Sequence, residues 1–274
     1  MSTTTTSSAT RYAISADETR IAYDVTGTGP ALVIVEGALC HRAMGTAKTV
    51  TPALSEHYTV HAYDRRGRGE SGQGETPFEV QREIDDLAAV IDAAGGDPLV
   101  LGASSGAVLA LEAARQGVAM ASLALYEAPF ILDDTHAPND PGLGDQVREL
   151  VAADKRSEAV KTFLRTVGVP APVLALMPLL PVWRGLKAVA HTLPHDFDIV
   201  LPFEQCTPLP AGHYADVAVP TLVIAGGRSP EYMRNAQAAI AEAVPGAKLA
   251  VLPGLTHIVK AKATVPVLLE HFGS

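Results

Sequence analysis

Between Pro98 and Ala114 the chain reads as a short apolar strand, a Gly102-x-Ser104-x-Gly106 turn and a helix of small residues in immediate succession. Such a succession forces a sharp strand-to-helix reversal, and glycines on both flanks remove the side chains that would collide as the two elements approach. The serine between them is lifted off the backbone on strained torsions. Its hydroxyl then stands at the helix N-terminus, where free amides and the helix dipole favour developing negative charge. A Gly-x-Ser-x-Gly string alone also fits a plain tight turn between buried elements. The strand-turn-helix pattern around this one makes Ser104 the candidate nucleophile.

The chain has 274 residues, 47% hydrophobic and 19% charged, enough to bury a large core as one α/β domain or a domain with an insertion. A formal charge of -9 with no basic stripe argues against a nucleic-acid partner. The polar start, residues 1–10, has no charged segment followed by an apolar core, so it is expected to be a flexible leader rather than a signal peptide. No apolar run approaches the roughly 18 residues that span a bilayer, so neither a membrane nor a non-cytoplasmic location is expected. Cys40 and Cys206 are expected to be free thiols.

Along the chain, β-like runs alternate with amphipathic helices, the pattern of a mostly parallel sheet covered on both faces. Arg11 to Ser15 and Thr19 to Thr26 predict an opening hairpin, and Ala31–Glu36 and Tyr58–Tyr63 predict buried strands. Thr76-Pro77-Phe78-Glu79 reads as a capping box that starts a helix at Thr76, with Ile84, Leu87, Val90 and Ile91 at helical spacing. A strand from Ser122 to Tyr126 ends at Glu127, and strand character returns at Thr221–Ala225 and Lys248–Leu252. From about Phe130 to Leu209 the pattern is helical and broken by prolines, which reads as an inserted cap. The expected organisation is a core of residues 11–129 and 210–274 with a helical cap or lid at 130–209.

Four motifs in order, Val35–Ala38, Tyr63–Ser71, the Gly102–Gly106 turn and Leu252–His257, make the chain resemble the α/β-hydrolase superfamily over nearly its full length. The resemblance implies a mostly parallel sheet of about eight strands, with helices on both faces and a helical cap after the sixth strand. It implies His257, on the loop after the last strand, as general base. Gly67-Arg-Gly-Glu-Ser-Gly72 also matches a dinucleotide-binding string, but Gln73–Pro77 intervenes where such a loop should open straight into a helix. The segment instead resembles the family's structural loop after its fourth strand, and neither an organic cofactor nor a metal is expected.

The acid departs from the commonest family pattern, which has an aspartate after the seventh strand where this chain has Ser229. A serine cannot hold an imidazolium, and a histidine without its orienting acid adopts the wrong tautomer. Glu127, closing the sixth strand, is the expected replacement, as in haloalkane dehalogenases and zearalenone lactone hydrolases; Glu231, Asp133 and Asp134 are runners-up. Glu36 stands where many relatives have histidine. It is either a loop anchor or a pocket-facing group that selects polar substrates or positions water. The oxyanion hole is expected from the amides of Gly37 or Ala38 and of Ser105.

Together these residues predict a serine hydrolase that cleaves a carboxylic ester or lactone of a hydrophobic small molecule through an acyl-enzyme. A serine at the elbow argues against dehalogenase or epoxide-hydrolase chemistry, which uses an aspartate there. Substrate contacts are expected from Trp183, Met177 and Pro129. Trp183 lies in a Val-Trp segment similar to one in the cap of zearalenone lactone hydrolases, which points to a macrolactone or hydrophobic ester. A C–C bond hydrolase or cofactor-free tailoring enzyme, and a catalytically weak ligand-binding protein, stay open as alternatives, as does a homodimer.

Overall fold

The computed structural model describes residues 9–75 and 77–273. Most of the expected leader, and Thr76, lie outside the described residues. Within them, eight strands form one sheet: β1 (Arg11–Ile14), β2 (Arg20–Thr26), β3 (Ala31–Val35), β4 (Thr59–Tyr63), β5 (Leu99–Ala103), β6 (Ser122–Tyr126), β7 (Thr221–Gly226) and β8 (Lys248–Leu252). Their order across the sheet is β1-β2-β4-β3-β5-β6-β7-β8. β1, β2 and β4 pair antiparallel and every pairing from β4 onward is parallel. Every residue of β5, β6 and β7 is buried, because a parallel strand with helices on both faces has no solvent side.

The period-2 geometry of β3 divides its side chains between two cores. Val33 and Val35 face α2 (Val80–Ala93), α3 (Ser105–Arg115) and α9 (Glu231–Ala243). Leu32 and Ile34 face α1 (Thr46–Leu54) and α10 (Ala261–Phe272). Between β6 and β7 lie α4 (Leu143–Ala152), α5 (Arg156–Thr166), α6 (Ala171–Leu176), α7 (Val182–Val189) and α8 (Leu193–Val200). These helices build a third apolar cluster of their own, joined by Leu39 from the loop after β3.

Helix α2 starts at Val80, not at Thr76, with Glu79 as its extended N-cap. The Phe78 ring stacks on His195 of α8 with centroids 3.7 Å apart, so tertiary packing takes this stretch out of the first turn the capping pattern predicts.

The loop after β4 carries three arginines, each 2% exposed or less, and buries all of them in ion pairs. Arg65 donates to Glu83 of α2 at 2.5 and 2.8 Å and to Asp196 of α8 at 2.8 Å. Arg66 pairs with Asp86 and Asp17. Arg68 donates to the other Asp196 oxygen at 2.7 Å, to the Gly37 carbonyl at 2.7 Å and to the Cys40 carbonyl at 3.1 Å. Burial alone would raise the Asp196 carboxyl, but Arg68 and Arg65 outweigh it and hold the group below the usual carboxylate range. The dinucleotide-like string is thus a structural loop. Its Gly69 backs onto the Asp64 carboxylate, leaving no room for a Cβ.

Glu36 is a loop anchor. Its fully buried carboxylate accepts the amides of Thr46 (3.1 Å) and Ala47 (2.6 Å), supplying the cap that Gly45 lacks at the start of α1. Burial pushes this carboxyl up to about 7, against the capping amides and Arg68.

Two outcomes follow from these buried charges. Glu83→Ala leaves Arg65 short of a partner and is expected to cost about 3 kcal/mol in chemical denaturation; a cost under ~1 kcal/mol would show the pair to be dispensable. Glu36, raised from 4.5 to about 7, keeps its proton in the folded protein where the unfolded chain has released it, so its stabilising contribution is full below 4.5 and lost as pH rises through about 7. Unfolding free energy should fall across that window, with a shallower slope in Glu36→Gln; identical slopes would contradict the assignment.

Candidate active site

Ser104 sits between β5 and α3 at φ 55° and ψ -127°, a torsion few side chains adopt. The strain is held by close packing. A Cβ on Gly102 would lie 2.6 Å from the Gly106 carbonyl, and one on Gly106 would collide with the Val35 carbonyl. The Ser104 amide donates to the Tyr126 carbonyl at 2.9 Å, while its own carbonyl accepts the Ala107 amide at 2.8 Å. Ser105 and Gly106 therefore precede the first intrahelical donor, and their amides point out of the helix N-terminus.

The structure brings the three expected residues together. His257 Nε2 lies 3.0 Å from Ser104 Oγ, and His257 Nδ1 lies 3.0 Å from Glu127 Oε2. A carboxylate only accepts, so Nδ1 carries the hydrogen and Nε2 is left to accept from the serine hydroxyl. Glu127 is fully buried and adopts φ 47°, the left-handed turn that swings its side chain from the end of β6 toward the histidine loop. Its second oxygen accepts the Gly226 amide at 2.6 Å. Next to it, the Tyr126 hydroxyl donates to the Thr256 carbonyl at 2.7 Å and fixes the loop that carries His257.

The other acid candidates are elsewhere. Asp133 accepts from Thr135 and Asn235, while Asp134 and Glu231 are exposed. Ser229 is buried, and its hydroxyl has no partner among the described residues.

Gly37 packs so closely on the elbow that a Cβ there would lie 2.9 Å from Ser104 Cβ. Its carbonyl accepts from Arg68 and its amide faces the Glu36 carboxylate, while the neighbouring Ala38 lines both cavities that reach Ser104. Ser105 reaches the same ion-pair network. Its hydroxyl donates to Asp196 Oδ1 at 2.7 Å and accepts from Arg65 at 3.1 Å.

Two cavities meet at Ser104, His257 and Ala38. One, of about 420 Å³, runs past Thr46, Thr49, Tyr126 and Val259. The other, of about 380 Å³, runs past Pro129, Ile131, Asn139, Glu204 and Tyr232. Of the three residues expected to touch substrate, Pro129 is on a cavity wall, while Trp183 and Met177 are on neither. Trp183 is 5% exposed in the cluster shared by α4, α5, α7 and α8, and Met177 packs on that cluster from outside; both serve the packing of the inserted helices. Cys40 lines the first cavity as a thiol, because burial, with Glu36 adding to it, pushes its pKa up to about 12.

An activated hydroxyl, a histidine held in one tautomer and outward amides form an arrangement able to attack a carbonyl and hold the resulting oxyanion. Sequence reasoning missed Asp196 and Glu204. Asp196 had a partial signal, in that His195, Asp196 and Asp198 are the polar residues of an otherwise apolar run from Leu193 to Leu201.

A solved α/β hydrolase from Sphaerobacter thermophilus DSM 20745 is 41% identical, superposes with a TM-score of 0.87, and the match covers 96% of this chain and 100% of that one. 2-(Acetamidomethylene)succinate hydrolase of Mesorhizobium japonicum is 27% identical over 245 residues, 85% of this chain and 83% of that protein. The match to the uncharacterized hydrolase YraK of Bacillus subtilis, 29% identical over 151 residues, spans about half of each chain, 53% of this one and 54% of that one. The model of the alpha/beta hydrolase family matches residues 20–263, and with its eight-stranded, mostly parallel sheet the chain belongs to that family.

Proposed function

We propose that the protein is a serine hydrolase of carboxylic esters or lactones of hydrophobic small molecules, working through an acyl-enzyme. The observation that carries this reading is the continuous relay from Glu127 through His257 to Ser104, with both hydrogen bonds at 3.0 Å. His257 removes the hydroxyl proton as Ser104 Oγ attacks the carbonyl carbon. The amides of Ala38 and Ser105 hold the oxyanion, and the proton passes from Nε2 to the departing alkoxide. Water, deprotonated by the same nitrogen, then releases the acid and restores the serine. Glu127 keeps Nδ1–H pointed inward and stabilises the imidazolium formed in each half-reaction.

A lactone differs from an open ester only in keeping its alcohol tethered, and the relay treats both alike. Of the features that liken the chain to zearalenone lactone hydrolases, the acid at the end of β6 supports this reading, while Trp183, packed away from the cavities, does not. The helices at 130–209 serve as the cap, since Asn139, Phe163 and Glu204 from that segment wall one cavity over Ser104.

In hydrolysis of p-nitrophenyl butyrate and a macrolactone, Ser104→Ala is expected to lose at least ~10⁴-fold in kcat, and Glu127→Gln about 10²- to 10⁴-fold with little change in KM. Ser229→Ala should match wild type. Wild-type turnover by Glu127→Gln would remove the acid assignment. Labelling of Ser104 by a fluorophosphonate without hydrolysis of any ester or lactone would overturn the reaction class in favour of another reaction on the same nucleophile.

A further inference from the structure

Glu204 is the carboxylate of the second cavity that nothing in the relay uses. It follows the short 3-10 turn Leu201–Phe203 after α8, and only 6% of its surface is exposed. Oε2 accepts Asn139 Nδ2 at 2.7 Å. The backbone is fastened on both sides, its amide to the Leu201 carbonyl (3.1 Å) and its carbonyl to the Asn139 amide (3.1 Å). The side chain is therefore fixed on the wall of the cavity that also holds Ser104 and His257. Asp196 also lines this cavity, but its oxygens are fully engaged by Arg65, Arg68 and Ser105. Among the described residues, Glu204 forms no ion pair, including with Arg228 on the same wall.

We propose, resting on the hydrolase reading above, that Glu204 recognises a hydrogen-bond donor, a hydroxyl or an ammonium, on a substrate whose carbonyl is seated at Ser104. Much of the surrounding wall is apolar, from Ile131, Phe163, Val200 and Met233, so an apolar body with one donor matches it. Burial pushes the Glu204 carboxyl up to about 7, with Asn139 working against it. A donor from the substrate adds a second partner to the one that Asn139 supplies. An analogue without that donor leaves the buried carboxyl with Asn139 alone, which is the route to selectivity. The aromatic pair of His136 and Tyr232, with centroids 4.4 Å apart, flanks the same region and supplies a flat surface beside the acceptor.

The test compares p-nitrophenyl esters of unbranched alkanoic acids of several lengths with their ω-hydroxy and ω-amino counterparts. The enzymes are wild type, Glu204→Gln and Glu204→Leu, each checked for folding by its Tm. At the best-fitting length, wild type should favour a donor-bearing ester by about tenfold in kcat/KM, the worth of one buried hydrogen bond. Glu204→Gln, which keeps an acceptor oxygen but no charge, should lose a preference for the amine and keep part of one for the hydroxyl. Glu204→Leu should lose both. No preference in wild type at any length, or the same preference in both variants, would overturn the proposal. Binding of the matched alcohols and amines to Ser104→Ala and Ser104→Ala/Glu204→Leu, measured by calorimetry, reads the same preference without turnover. If wild type cleaves no ester, the hydrolase reading fails while this binding comparison still decides the role of Glu204.

Discussion

The site depends on one buried carboxylate, Asp196, and on the two arginines that share it. Removing three charges from water is costly, and the arrangement holds only because each finds its partners: Arg65 lies between Glu83 and Asp196, and Arg68 between Asp196 and two backbone carbonyls. Those partners belong to separate parts of the chain. Glu83 is on a helix of the sheet's face, Asp196 on a helix of the insertion, Gly37 on the loop against the nucleophile, and Ser105 on the first turn of the helix behind it. A single cluster thereby fixes the inserted helices, the loop after β3 and the turn at Ser104 relative to one another.

Around that frame the candidate catalytic residues come from the ends of neighbouring strands. Ser104 and Glu127 leave β5 and β6 through left-handed torsions, each tied to the next strand by its amide, Ser104 to Tyr126 and Glu127 to Ile224. Two strained residues side by side are sustainable because the strands beneath them are buried throughout and hydrogen-bonded on both sides. The sheet thus supplies both the strain and the means of keeping it.

Much of this was legible in the sequence, for reasons that differ by residue. Ser104 announces itself because strand, glycines and helix are contiguous, and His257 because it follows a recognisable final strand. Glu127 came from the family resemblance once Ser229 occupied the usual acid position, with Glu231, Asp133 and Asp134 still open, and the structure puts its carboxylate 3.0 Å from His257. Trp183 and Met177 misled because an apolar residue in an insertion looks the same in sequence whether it faces a ligand or another helix; here α4, α5 and α8 claim them. The start of α2 slipped by four residues because Phe78 found a better partner in His195, far along the chain. Asp196 and Glu204 act through contacts with residues 65, 68 and 139, separations that no local pattern encodes.

The Glu127 carboxylate is held by a donor that belongs to no side chain. That donor is the main-chain nitrogen of Gly226, at the end of a strand that is buried throughout. A Cβ at position 226 would lie 2.7 Å from Ser229 Oγ and 2.8 Å from the Leu255 carbonyl, so alanine there shifts the strand end as well as the contact. Chemistry that edits the peptide bond itself, such as an amide-to-ester replacement at position 226, removes the donor alone, and drift in β7 is limited by the need for glycine at that one position.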